Sequence, residues 1–169
     1  EYYVSHYIDH TPLVHPLRGT VLASRQNLSM GGNYPFTLIG SLARATSYAT
    51  DALQVYGCSR RAGSVPEGIA RGLPGRRRQH EHSLAALQDA PVVVRPGETA
   101  QRGFFGWFEM TKTTPSSEAD IVFADKALAL PEARPAAAPP ADGVPVGATL
   151  FTTAPLLAAQ DVTDDDLAA

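Results

Sequence analysis

The stretch Arg25–Phe36, RQNLSMGGNYPF, decides how the surrounding chain is read. Polar and amide side chains run into Gly31–Gly32 and then into an aromatic–proline step. Two glycines in a row accept backbone conformations barred to other residues, so a tight hairpin between two strands fits. The same stretch supplies Arg25, Gln26, Asn27, Asn33 and Tyr34, whose donors, acceptors and aromatic face suit a sugar. Local pattern alone leaves turn and binding loop both open. A phosphate loop is excluded, because MGGNYPF lacks the Gly-Lys-Ser/Thr ending and the strand–loop–helix setting.

The sequence outward from this stretch reads as β-structure. YYVSHYIDH (2–10) is aromatic and β-branched and alternates as a strand does. GTVLASRQ (19–26) follows after a Pro-containing connection. ATSYATDALQVYG (45–57) is long enough for a helix, but its Thr, Ser and Tyr content and closing Gly favour strand or strand-bulge. QHEHSLAALQ (79–88) is a further candidate strand, which would put His80 and His82 on one face. PVVVRPGETAQRGFFGWFEM (91–110) reads as strand, Pro-Gly turn, strand. In GFFGWFE (103–109) the aromatics should divide between core and a packed surface.

The pattern changes after residue 112. PSSEADIVFADKALALPEA (115–133) offers Ser116 or Ser117 as a cap, acidic residues in the first turn and apolar Ile121, Ala124 and Leu128. It predicts a helix that stops before Pro131. RPAAAPPADGVPVG (134–147) is a Pro/Ala-rich linker with nothing to build a core. DVTDDDLAA (161–169) reads as the start of a helix, capped by Thr163. The expected organisation is therefore a β-sandwich portion over 1–112, a linker helix over 113–133, the linker over 134–147, and the start of a following region over 148–169.

Composition narrows the function classes. The chain's 169 residues are 44% hydrophobic and 18% charged, enough for a packed core and unlike a disordered chain. No apolar run approaches the ~20 residues of a membrane helix. Beginning at Glu1 rather than Met, the chain is expected to be a piece of something longer. Residues 1–102 carry 11 basic and 7 acidic side chains, a net +4, whereas residues 103–169 carry 3 and 10, a net −7. Arg76–Arg78 form a basic run with no nucleic-acid module around it, so solvation or interdomain pairing is expected. The single cysteine, Cys58, excludes a disulfide framework and is expected to be a buried thiol; a reducing, cytoplasmic compartment is favoured. His6, His10 and His15 cluster near the start and His80 and His82 later, but no third ligand stands at zinc-site spacing. No metal, cofactor, nucleic-acid or membrane partner is expected. No Ser/His/Asp order and no carboxyl pair suited to glycosidic chemistry is singled out.

YYVSHYIDH, GTVLASRQNLSMGGNYPFTLIGSL, SYATDALQVYG and GFFGWFE, in this order and spacing, resemble a segment of the β-1,2-oligoglucan phosphorylases. These belong to the wider group of cellobiose phosphorylase-like glycoside phosphorylases, and the resemblance covers about residues 1–130. It implies a mainly β fold: an antiparallel, supersandwich-like β-sandwich, then a linker helix, then entry to an (α/α)-barrel catalytic domain. Such enzymes cleave a β-glucosidic bond with inorganic phosphate and release α-glucose 1-phosphate with inversion. Their general acid is an aspartic acid in the barrel, so no catalytic residue carries over, and this chain alone is expected to be inactive. The implied partners are the catalytic barrel, oligosaccharide and phosphate in the parent, and a homodimer contact. Arg25, Gln26, Asn27, Asn33 and Tyr34 are the candidate carbohydrate-binding residues. The alternatives are a stand-alone carbohydrate-binding module, using aromatics such as Tyr34 and Trp107, and a structural fragment without ligand.

Overall fold

The computed structural model describes residues 7–58, 65–78 and 80–134. The linker expected over 134–147, apart from Arg134, the following region expected over 148–169, and the first residues of the strand expected over 2–10 lie outside them. The molecule is mainly β, built on one curled, mixed sheet with few helices. Its strands are β1 (Ile8–His15), β2 (Gly19–Gln26), β3 (Phe36–Ser41), β4 (Ala45–Asp51), β5 (Ser83–Asp89) and β6 (Phe104–Glu109).

Strand β2 is the hub. It pairs antiparallel with β1 along its whole length, from Ile8↔Gln26 to His15↔Gly19. Its other edge pairs with β3 over Leu22–Arg25 and touches β4, in parallel, at Gly19↔Ala45 alone. That edge is shared because the β4–β5 ribbon peels away from it, which curls the sheet into a sandwich-like fold. Gly19 makes the junction possible: its φ is +70°, and a Cβ there would lie 2.1 Å from Ala45 O. β6 closes the opposite side by pairing antiparallel with β3.

The hairpin at Gly31–Gly32 resolves the local ambiguity in backbone terms. Met30 and Asn33 exchange both backbone hydrogen bonds at 3.0 Å, and both glycines have positive φ, 58° and 86°. This is the conformation that two-residue hairpins favour.

Helix α3 (Ile121–Ala129) covers one face of the sheet. Leu13, Val21, Ala23, Phe36, Leu38 and Phe105 pack with Ala124 and Ala127 in one core cluster, flanked by Trp107 and Phe123. Small residues on the helix let its backbone approach the sheet closely. Ser117 caps a turn of 3-10 helix before α3, in a reciprocal box with Asp120, and the helix ends before Pro131 as expected. His15, on β1, reaches Asp125 of α3 at 3.1 Å. Its Nδ1 accepts the backbone N–H groups of Leu17 and Arg18, so the proton sits on Nε2 and is donated to Asp125.

Other expectations are corrected. The first strand does not end at His10 but runs through Pro12 to His15, since β1 pairs on one edge only and Pro12 needs no second partner. The stretch 45–57 is a strand only to Asp51. Asp51 then caps the short helix α1 (Ala52–Tyr56), its carboxylate accepting from Leu53 N–H while Gln54 reaches back. His80 and His82 precede β5 rather than lying on it. Val92–Val94 form no strand and are largely exposed, because Pro91 and Pro96 bracket them and β3 pairs with β6 instead. Cys58 is exposed, not buried: Gly57 ends α1 with positive φ and places Cys58 beyond its last turn. A second short helix, α2 (Glu67–Arg71), follows.

Candidate functional site

The candidate binding residues do not form one site. Arg25 is buried, and its guanidinium donates to Lys112 O at 2.7 Å, Thr113 O at 3.1 Å and Asn27 Oδ1 at 3.0 Å. It also lies over the Tyr34 ring, 4.8 Å from the centroid. Asn33 accepts from Thr111 Oγ1 at 2.6 Å. These three residues therefore tie the hairpin to the segment after β6. Gln26, one position along β2, lines a groove that Arg25 also borders, with Asn27 at its far end.

That groove was not legible as a unit in the sequence. Its centre is His10, only 4% exposed, whose Nδ1 and Nε2 contact Ser24 Oγ and Ser83 Oγ at 2.8 Å each. The imidazole bridges β1, β2 and β5 across the curl of the sheet. Burial lowers its pKa from the ordinary 6.5, aided by Arg77 and opposed by Glu81 and Asp9. His10 is therefore held neutral, one ring nitrogen donating and the other accepting.

One end of the groove, about 320 Å³, runs between β1, β2, β3 and β5 and has a mostly apolar wall that includes Ile8, Pro35, Leu84 and Ala85. The other end, about 190 Å³, is polar and includes Asp9, Asn27, Arg77 and Glu81. Both ends share Ile8, His10 and Ser83. Arg77 donates to Asp9 at 3.0 Å, and Glu81 accepts from Thr50 Oγ1 at 2.6 Å and from Arg78 N–H. Gln26 and Asn27, the histidine cluster and the arginine run were the sequence signals for this site, and their convergence depends on the β1–β5 approach. Among the described residues, no three His, Cys, Asp or Glu side chains group to hold a metal ion.

The aromatics of β6 divide as alternation demands. Phe105 enters the core, while Phe104 and Phe108 stand on the opposite face, more than half exposed. Trp107 stacks near Phe123, and Lys126 Nζ lies 5.9 Å and 5.0 Å from the centroids of the two rings.

A sandwich-like β domain with an amphipathic groove and an open aromatic face is the class that this geometry defines. Residues 1–106 match the SOGP N-terminal domain family, and the chain belongs to that family. It is also similar to the 1,2-beta-oligoglucan phosphorylase of Listeria innocua, 30% identical over 105 residues, which is 62% of this chain and 10% of that protein. The chain thus spans about a tenth of that relative's length.

Proposed function

We propose that this chain is a non-catalytic β-sandwich piece of a glycoside phosphorylase that packs on the enzyme's helical catalytic barrel and borders its substrate cleft. One observation carries the reading: the family match and the similarity to an oligoglucan phosphorylase both cover nearly two thirds of the chain. In the parent, phosphate would take the place of the activated water of an inverting hydrolase and cleave a β-1,2-glucan to α-glucose 1-phosphate. The barrel supplies the acid, and oligosaccharide and phosphate are the parent's substrates. The exposed Phe104 and Phe108 are suited to burial against such a partner, or against a second copy in a homodimer.

The geometry speaks against a stand-alone module that stacks its ligand on the aromatics named from the sequence. Such a module would stack sugars on Tyr34 or Trp107, yet Arg25 lies over the first ring and Lys126 is near the second.

The test is the complete reading frame that contains this chain. It is expected to encode a helical barrel, and its product should phosphorolyse β-1,2-glucan while the 169-residue chain alone releases no glucose 1-phosphate. A frame without a barrel, or turnover by the isolated chain, overturns the reading.

A further inference from the structure

We propose that the groove meeting at His10, rather than the hairpin tip, is a binding site for a neutral oligosaccharide. The first argument is its two-sided chemistry. A pyranose ring has an apolar C–H face and a rim of hydroxyls, and it fits a cleft with one apolar wall and a few fixed polar groups. Ile8, Pro35, Leu84 and Ala85 supply the wall at one end, and the polar side chains lie at the other.

The second argument is charge. The Arg, Asp and Glu residues that line the polar end, Arg77 and Arg78 against Asp9 and Glu81, balance in formal charge. Arg25 borders the apolar end, but its guanidinium is engaged with Lys112, Thr113 and Asn27. His10 is kept neutral by burial. A phosphate or an acidic peptide would meet the two carboxylates, and a cation would meet the two arginines. A neutral ligand that both donates and accepts has neither penalty.

The third argument is geometry at the rim. Arg77 and Asp9 are paired at 3.0 Å with side chains 44% and 36% exposed. A guanidinium has five N–H donors and a carboxylate about four lone pairs, so one mutual bond leaves both able to engage neighbouring hydroxyls. Holding each other, they present a donor and an acceptor at fixed spacing. The proposal rests on the phosphorylase reading only for the source of the ligand.

The experiment is calorimetric titration of the full chain with β-1,2-linked glucotriose, with inorganic phosphate as a separate titrant. Saturable binding of the trisaccharide and none of phosphate is expected. Arg77→Ala, at an exposed position, and Asp9→Asn, at a partly exposed one, should each weaken binding about tenfold, equivalent to ~1.4 kcal/mol, with unchanged urea midpoints. Tyr34→Ala should leave it unchanged. No saturable heat up to about 10 mM, well above the ~1 mM that corresponds to ~4 kcal/mol, overturns the site. So does a loss in Tyr34→Ala equal to that in Arg77→Ala, or displacement of the sugar by phosphate. A null titration beside an active, barrel-containing parent removes the groove and leaves the proposed function standing; sugar binding by a chain whose parent lacks a barrel does the reverse.

Discussion

Lys112 holds its ammonium 3.1 Å from Asp120 Oδ2 inside the protein, with the two side chains only 9% and 6% exposed. The ammonium also donates to the carbonyls of Thr114 and Pro115 and lies over the Phe36 ring. Asp120 accepts from Ser117 N–H as well. This closed network fastens the segment between β6 and α3 to the core. Removing one charge leaves the other buried and unpaired, so Asp120→Ala should cost about 3–5 kcal/mol. Urea unfolding checks it, and Lys112→Met combined with Asp120→Leu should lose far less than the single change. Equal losses would place the stability elsewhere.

Gly19 and Gly31 both have positive φ but differ in surroundings. A Cβ at Gly19 meets Ala45 O at 2.1 Å, at the single β2–β4 pairing, while a Cβ at Gly31 has nothing within 4 Å. Gly31→Ala should therefore cost only the left-handed strain, about 1–2 kcal/mol. Gly19→Ala should cost more and loosen the β4–β5 ribbon. Hydrogen exchange of β5 amides separates the two variants, with faster exchange expected in Gly19→Ala alone.

His10 gives stability a defined pH dependence. Its pKa in the folded chain is depressed by burial, so the unfolded chain binds the proton first on acidification. Its contribution is complete above about pH 6.5 and is lost as pH falls below that, with a slope of at most ~1.4 kcal/mol per pH unit for one proton. His10→Gln should flatten the urea-midpoint profile between about pH 6.5 and 5 relative to the parent chain. An unchanged profile would mean that His10 protonates as easily folded as unfolded.

Arg25 and Tyr34 should behave differently although they stack. Arg25→Ala removes three hydrogen bonds and leaves the Lys112 and Thr113 carbonyls without that donor. A destabilisation of roughly 2–3 kcal/mol is expected, read as a lower melting temperature. Tyr34→Ala, at a partly exposed ring, should cost about 1 kcal/mol or less, in the range of an exposed cation–π contact. Similar losses would mean that the stack, not the hydrogen bonds, fastens the hairpin.

A chain ended at Lys112 lacks α3, and with it Ala124 and Ala127, which close the core over Leu13, Val21, Phe36 and Leu38. It is expected to aggregate or to show no cooperative unfolding, even though it contains all of the family-matched residues. A cooperative transition matching that of the full chain would show that the sheet needs no helix.

The local elements were legible because their causes are local. GTVLASRQ reads as a strand from its own residues, Gly31–Gly32 allows a hairpin, and Ser117 with its following acidic residues starts a helix before Pro131. The Asp51-x-x-Gln54 box was also present, but the strand-like residues before it masked it. The mainly β fold likewise followed from strand patterning, and the order of short strings pointed to the distant relationship with an oligoglucan phosphorylase. Tertiary structure alone decided what those elements meet. β2 shares one edge between β3 and β4, so the sheet curls, and β5 is brought to β1. Only that approach sets His10 between serines 14 and 73 positions away. Arg25 then donates to Lys112 while Gln26 lines the groove, although they are adjacent in the chain. A sequence fixes alternation and turns through neighbouring residues, whereas a site made by long-range pairing depends on which edges find each other.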